Sequence, residues 1–389
     1  MTTTNAPAGS LITEETPASP TVVAVLGGVV GLGALAFLIG VLGGGGRRTW
    51  AIFLVNVVFW SGLAATGPAL AGMIEVTEGR WGARLRRIAT TTAAFMPVSF
   101  FLFLVLLAAV PVLYPWAGQP IPSKAIWLNV PFFVLRTAIG VAVLYWVSIR
   151  FARAVHASPA GAAEEPGRGE RQRLAVILLL LYGVVISLLG YDLVMTLDPH
   201  WFSGLFGGYV LVTSLYSGFA FLVVLVAIKS MGRPTWVMPP KEVQDLAKLV
   251  FAMSVMWMYF FWSQYLVIWY GNVPVETKFF LRRFFEDPWR VLAFVVLAAG
   301  WIVPFSYLLK RLTGKPPERH RPLVFISLLS LSAIFLERVL VVVPSISPTA
   351  AFPAGILEVL VTAGFFALFV LSRRWFLARF RMTATLIGR

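Results

Sequence analysis

Hydrophobic residues in this chain fall into ten long, nearly continuous runs separated by short polar segments. The runs are Thr21–Leu42, Trp50–Ile74, Ala89–Leu113, Ile126–Phe151, Arg173–Met195, Phe206–Lys229, Ala247–Trp269, Arg290–Arg311, Pro322–Val343 and Pro353–Ser372. Each supplies about the twenty residues that a helix needs to cross roughly 30 Å of hydrocarbon. Strands of a membrane barrel would alternate apolar and polar positions, and these runs do not. The pattern predicts an all-α polytopic membrane protein with ten transmembrane helices and no large soluble domain. Residues 1–20, rich in Thr, Ala and Pro, predict a disordered cytoplasmic tail or a strap across a partner. Spans 1–4 occupy 21–151, a polar loop 152–172, spans 5–10 173–372, and a basic tail 373–389. The first run has no basic flank before it and is long enough to span, so it reads as a membrane helix and not as a cleaved leader.

The net charge of +15 changes the picture only through its distribution. The loops after spans 2, 4, 6 and 8, counted with the span ends that flank them, and the C-terminal tail hold 23 Lys and Arg, against 7 for the loops after spans 1, 3, 5, 7 and 9 counted the same way. That alternation is the positive-inside signature and predicts cytoplasmic termini; it is not a nucleic-acid surface. One local signal runs the other way: the N-terminal tail carries Glu14 and Glu15, while Arg47 and Arg48 follow span 1. The face with the Lys- and Arg-poor loops is called the outer end below.

The chain has no cysteine, so it offers no thiolate for an iron–sulfur cluster and no c-type haem attachment. Its three histidines, His156, His200 and His320, are predicted to lie in loops, away from any haem position inside a span. No metal cofactor is expected on this chain. A redox role here means binding quinone or supporting subunits that hold the metals.

Within the spans, Gly27 and Gly31, with Gly28 and Gly33 beside them, predict close packing of span 1 on another helix. Pro97, Pro131 and Pro304 predict bends or ends in spans 3, 4 and 8. Away from the span ends, five charged residues fall inside spans: Arg136, Asp192, Glu337, Arg338 and Glu358. Buried charge is expensive in hydrocarbon and marks functional candidates. The charge-derived topology puts all five in the outer half, with Gln264 and Tyr265 at similar depth. The inner half offers mostly hydroxyls: Thr90, Thr91, Thr92, Ser254, Ser327 and Ser330.

Three readings of this asymmetry stay open: ion pairs that pin helices, a proton half-path open to the outer side, or a quinone headgroup site. Glu337 and Arg338 are neighbours pointing about 100° apart, so each is expected to find its partner on another helix. The short loop between spans 9 and 10 predicts pairing of Arg338 with Glu358, and spans 4 and 5 pairing of Arg136 with Asp192. Asp192, one turn from the outer exit, is expected to meet water and to serve proton movement. Arg338, deeper, is expected to serve folding.

Two segments stand out by their wording. The first is FWSQYLVIWYGNVPVET, Phe261–Thr277, an apolar helix leaving the membrane at Gly271, Asn272, Pro274 and Glu276. The second is YDLVMTLDPHWFSGLFGGY, Tyr191–Tyr209, whose outer turn holds Asp198, Pro199, His200, Trp201 and Phe202. Each is either an aromatic belt at the headgroup level or a docking surface.

The first segment resembles Ser-Gln-Tyr followed by Trp-Tyr-x-Asn-x-Pro-Glu-Glu-Thr in the NrfD-like (polysulfide-reductase-membrane-subunit-like) proteins of alternative complex III, and specifically the smaller of that complex's two such subunits. Ser263, Gln264, Tyr265, Trp269, Tyr270, Asn272, Pro274, Glu276 and Thr277 match, while Val275 replaces the first glutamate. The second resembles the family's aromatic-Asp-Trp-x-Met-Ser-Leu-x-Pro-x-Trp-Phe-Ser-Thr loop, with Leu193 in place of Trp and Gly204 in place of Thr.

The resemblance implies two four-helix bundles, spans 2–5 and 6–9, with spans 1 and 10 outside them. It also implies a bacterial cytoplasmic membrane and a quinol:electron-acceptor oxidoreductase. The expected partners are a sister NrfD-like subunit, outer-face iron–sulfur and haem c subunits, quinol and membrane lipids. His200, Trp201, Phe202, Asn272, Pro274 and Glu276 become expected docking residues. Asp192, Gln264, Tyr265, Glu337, Glu358, Arg136 and Arg338 are the candidates for a proton path or quinone contact. Two other classes remain: an independent transporter, against which no matched pair of Gly/Pro-interrupted helices is seen, and a pure scaffold.

Overall fold

A computed structural model describes residues 19–79, 82–157, 167–230, 237–314, 320–347 and 355–380. The expected N-terminal tail up to residue 18, the middle of the 152–172 loop, the end of the basic tail and the His320 side chain lie outside the described residues. The described chain is helical, and ten helices are long and apolar enough to cross a membrane. They are Pro20–Leu42, Gly46–Val76, Ala83–Ala108, Val130–Ala157, Arg168–Leu197, Phe206–Ser230, Pro240–Gly271, Trp289–Lys310, Arg321–Ile346 and Ile356–Trp375, called spans 1 to 10. An eleventh helix, Pro274–Phe284, is too short to cross and joins spans 7 and 8; we call it the cap helix. The protein is an all-α polytopic membrane protein.

Span 2 is the axis of the molecule. Of its most apolar stretch, 94% is buried, against 11% for span 1. It packs on spans 3 and 5 on one side and on spans 6 and 9 on the other. Spans 2–5 form one group and spans 6–9 a second. Hydroxyl links cross the interfaces, as expected where lipid supplies no competing hydrophobic drive. Thr66 bonds the Tyr182 hydroxyl and donates to the Ser214 carbonyl, both at 2.9 Å, tying spans 2, 5 and 6. Ser99 bonds Ser61 at 2.9 Å and Tyr145 at 2.8 Å, tying spans 2, 3 and 4.

Prolines inside spans recur with one solution. A proline has no N–H, so the carbonyl four residues earlier loses its helical donor. Pro68 frees the Ala64 carbonyl, which accepts from Thr92 Oγ1 of span 3 at 2.8 Å. Pro304, after a π-turn at Ala298–Ile302, frees the Gly300 carbonyl, which accepts from the Tyr216 hydroxyl of span 6 at 2.7 Å. Pro344 frees the Leu340 carbonyl, which accepts from Arg283 Nε of the cap helix at 3.0 Å. Pro131 differs from expectation: it sits in the first turn of span 4 and starts that helix instead of bending it.

Spans 1 and 10 pack along each other beside the two groups. Their closest approach is Gly33 on Gly364, not the Gly27–Gly31 spacing, because an added Cβ at Gly27, Gly28 or Gly31 meets nothing within 4 Å. A Cβ at Gly33 would lie 2.8 Å from both the Gly364 Cα and the Leu360 carbonyl oxygen. These are backbone atoms and cannot rotate away. Gly33→Leu is therefore expected to cost about 1–3 kcal/mol through overpacking. Gly27→Leu should be neutral. Thermal unfolding in detergent checks both, and equal midpoints for the two variants would refute the contact.

Candidate functional site

Each helix group carries a buried acid on its last span, near the outer end: Asp192 on span 5 and Glu337 on span 9, both 1% exposed. Their surroundings differ.

Asp192 lies in a π-turn, Gly190–Val194, and is saturated with donors. Arg136 of span 4 grips it bidentately, Nε to Oδ2 at 2.9 Å and Nη2 to Oδ1 at 2.8 Å. Trp127 Nε1 donates to Oδ1 at 3.1 Å, and the Arg136 guanidinium lies 4.2 Å from the Trp127 ring centre. The widened turn leaves the Leu193 carbonyl to the Tyr114 hydroxyl, 2.9 Å away. The pair expected from the sequence is thus present, but Asp192 is sealed where exposure to water was expected. It fastens the outer segment between spans 3 and 4 onto span 5.

Glu337 is held loosely by comparison. Tyr209 of span 6 donates to its Oε1 at 2.6 Å. Its Oε2 lies 3.6 Å from Arg338 Nη1, beyond hydrogen-bond reach, and neither atom has a hydrogen-bond partner among the described residues. The second nitrogen of Arg338 reaches Thr213 Oγ1 and, at 3.3 Å, the Val210 carbonyl. The expected pairing of Arg338 with Glu358 does not form. Glu358 pairs with Arg48 at the start of span 2, because span 10 packs against spans 1 and 2 and the short helical stretch of span 3. The bend of the long guanidinium also brings Arg338 toward its own neighbour, which the 100° spacing did not anticipate.

Beside Glu337 is a cavity of about 60 Å³. Its walls are mostly aromatic: Phe206 and Tyr209 from span 6, Trp257 and Phe261 from span 7, and Phe279, Phe280 and Phe284 from the cap helix. Gln264, Arg283 and Glu337 supply the polar lining. A cavity known to hold benzene is about 150 Å³, and one water needs about 10–15 Å³. The space therefore suits a few water molecules and is too small for a quinone ring. Tyr265 does not line it and stacks instead against Phe261 and Trp262.

The lid over this cavity is built by both distinctive sequence segments. Asn272 takes the left-handed conformation (φ 46°) that ends span 7, and Pro274 opens the cap helix, where its missing N–H costs nothing. The cap helix then lays Phe279, Phe280 and Arg283 inward. Arg283 is buried and spans the Pro344 break, donating also to the carbonyls of Phe279 and Val341 at 2.8 and 2.7 Å. Burial pushes its pKa down to about 9, with the Asp198 charge opposing, so it remains cationic at neutral pH. Its guanidinium lies 3.5 Å from the centre of the Phe279 ring, and Trp201 stacks on that ring at 3.8 Å and 5°.

This corrects one expectation. Trp201 is buried as the keystone of the lid, not displayed for docking, whereas His200, Phe202, Asn272 and Pro274 are exposed and Glu276 is half-buried. His156, expected in a loop, lies buried in the last turn of span 4, with Nε2 3.0 Å from Thr90 Oγ1.

Reasoning on the sequence also missed a buried cluster at the opposite end. Glu75 of span 2 pairs with Arg86 and, at 3.1 Å, with Arg171 of span 5. Arg283 was missed as well, although its place four residues after Phe279 in an amphipathic stretch was a usable signal.

No family model matches the chain, and comparison with curated proteins finds no relative.

Proposed function

We propose that this chain is an integral subunit of a quinol:electron-acceptor oxidoreductase of the alternative complex III kind, with Glu337 and the cavity beside it as an outward-facing proton site. The observation that carries the reading is convergence. The two segments whose wording resembles NrfD-like subunits are separate in sequence yet build one lid over one buried carboxyl. Gln264 and Asn272 come from the first, Trp201 and Tyr209 from the second. Cavity size favours water over a quinone ring, so proton transfer is preferred to quinone binding at this site. The chain contributes the carboxyl, its hydroxyl partner and the lid; quinol oxidation and electron transfer belong to a sister membrane subunit and to outer iron–sulfur and haem c subunits. The excess of Lys and Arg in alternate loops supports cytoplasmic termini, and the resemblance supports a bacterial membrane.

The test is purification in mild detergent from the native membrane. Haem c and iron–sulfur subunits are expected to accompany the chain, and a chain that isolates alone overturns the proposal. Phe202→Asp, at an exposed ring with Lys124 Nζ 6.0 Å from its centre, should release outer subunits while the spans stay folded. Trp201→Asp puts a charge under the lid and should lower the yield of folded chain itself.

A further inference from the structure

We propose that the inner ends of spans 4 and 5 form a binding site for an anionic phospholipid, a feature independent of the reading above. One edge of span 4 is exposed along its whole length, through Leu135, Ile139, Val143 and Trp146, and ends in Arg150 and Arg153. Span 5, packed beside it, exposes Val176, Leu180 and Val184 and begins with Arg173 on its exposed side. Such apolar ridges are ordinary lipid-facing surface. The arginines are not ordinary.

Arg150 sits seven residues inside the end of span 4 and Arg173 five residues inside the start of span 5. At 1.5 Å per residue both lie roughly 8–10 Å from the helix ends, at matching depth on antiparallel neighbours. Neither has an ion pair among the described residues. By contrast, the nearby Arg168 pairs with Glu78 and Arg171 with Glu75. The Arg150 guanidinium is held over the Trp146 ring, 5.3 Å from its centre, and Trp146 is 59% exposed.

The apolar runs end at Phe151 and begin at Arg173, so both cations stand at the hydrocarbon edge, the level of lipid phosphates, with no ion pair among the described residues. A guanidinium presents parallel N–H groups that match phosphate oxygens. Tryptophan prefers the headgroup level that a phosphate occupies. The ligand that meets all three demands has a phosphate at the arginines and acyl chains along the ridges above them. A second acidic group on the headgroup is not required, so phosphatidylglycerol suffices as probe. A soluble acidic peptide does not fit, because the cations lie beside lipid-facing hydrocarbon.

The experiment uses the protein as purified, with whatever subunits accompany it, exchanged into equal mixtures of phosphatidylglycerol and phosphatidylcholine. Native mass spectrometry then reads which lipid is retained. Phosphatidylglycerol is expected to dominate. Arg150→Gln with Arg173→Gln should reduce its retention about 10- to 30-fold, since each interfacial cation contributes roughly a factor of five. Lys310→Gln with Arg374→Gln removes equal charge from the same face elsewhere and should change nothing. Undiminished retention in the first double variant, or an equal fall in the second, overturns the site. If the glutamine variant fails to fold, Arg150→Lys with Arg173→Lys is the check. It keeps both charges and should still prefer phosphatidylglycerol; loss of that preference also overturns the site.

Discussion

Arg136→Ala is expected to destabilise the folded protein by about 3–5 kcal/mol, the range for a buried ion pair that loses one partner. Asp192 is 1% exposed and spends both oxygens on Arg136 and Trp127. Without the guanidinium, one buried carboxylate keeps a single neutral donor. The outer segment between spans 3 and 4 also loses its clamp, because Arg136 Nη1 donates to the Trp127 carbonyl at 2.7 Å. Arg136→Lys should recover only part of the loss, since a single ammonium cannot make the two parallel bonds. Arg136→Met combined with Asp192→Leu should recover most of it, because removing both charges removes the desolvation cost as well. Thermal unfolding of the purified protein reads these differences. An Arg136→Ala midpoint equal to wild type would show that water reaches Asp192 after all.

The placement of membrane helices was legible because hydrocarbon imposes one rule on every span. Even so, the ends moved. Span 3 begins at Ala83, six residues before its apolar run, because Leu85, Arg87 and Ile88 are buried against neighbouring helices. Which charges lie inside the membrane was equally legible, since a single Asp or Arg in an apolar run is conspicuous. Their partners were only half legible. Arg136 and Asp192 sit on consecutive spans, where proximity follows from the connection. Arg338 and Glu358 also sit on consecutive spans, but span 10 is drawn to span 1 by the Gly33–Gly364 contact, and no local pattern announces that preference. The Glu75–Arg86–Arg171 cluster escaped for a related reason: Glu75 lies just past the apolar run, where an acid looks solvated until the fold covers it. Trp201 is the clearest lesson. An aromatic residue in a polar turn reads the same whether it faces a partner or, as here, a ring of the same chain.

The contrast between the two acids leads to the last expected result. Asp192 is saturated with hydrogen bonds and pinned by a guanidinium, with no oxygen left toward a cavity. Glu337 has one oxygen on Tyr209 and the other without a hydrogen bond, beside a cavity with room for water. On the proposed function, a carboxyl in that state is the group placed to exchange protons with the cavity. Glu337→Gln keeps the shape and the bond to the Tyr209 hydroxyl but cannot titrate. Folded yield and complex assembly are expected to stay near wild type, while most of the proton release coupled to quinol oxidation in vesicles disappears. Tyr209→Phe removes the hydroxyl that orients the carboxyl and should slow proton release less severely. Asp192→Asn, measured alongside, should leave coupling intact. Unchanged proton release in Glu337→Gln would make Glu337 a structural partner of Tyr209 and Arg338, and the cavity beside it a packing defect.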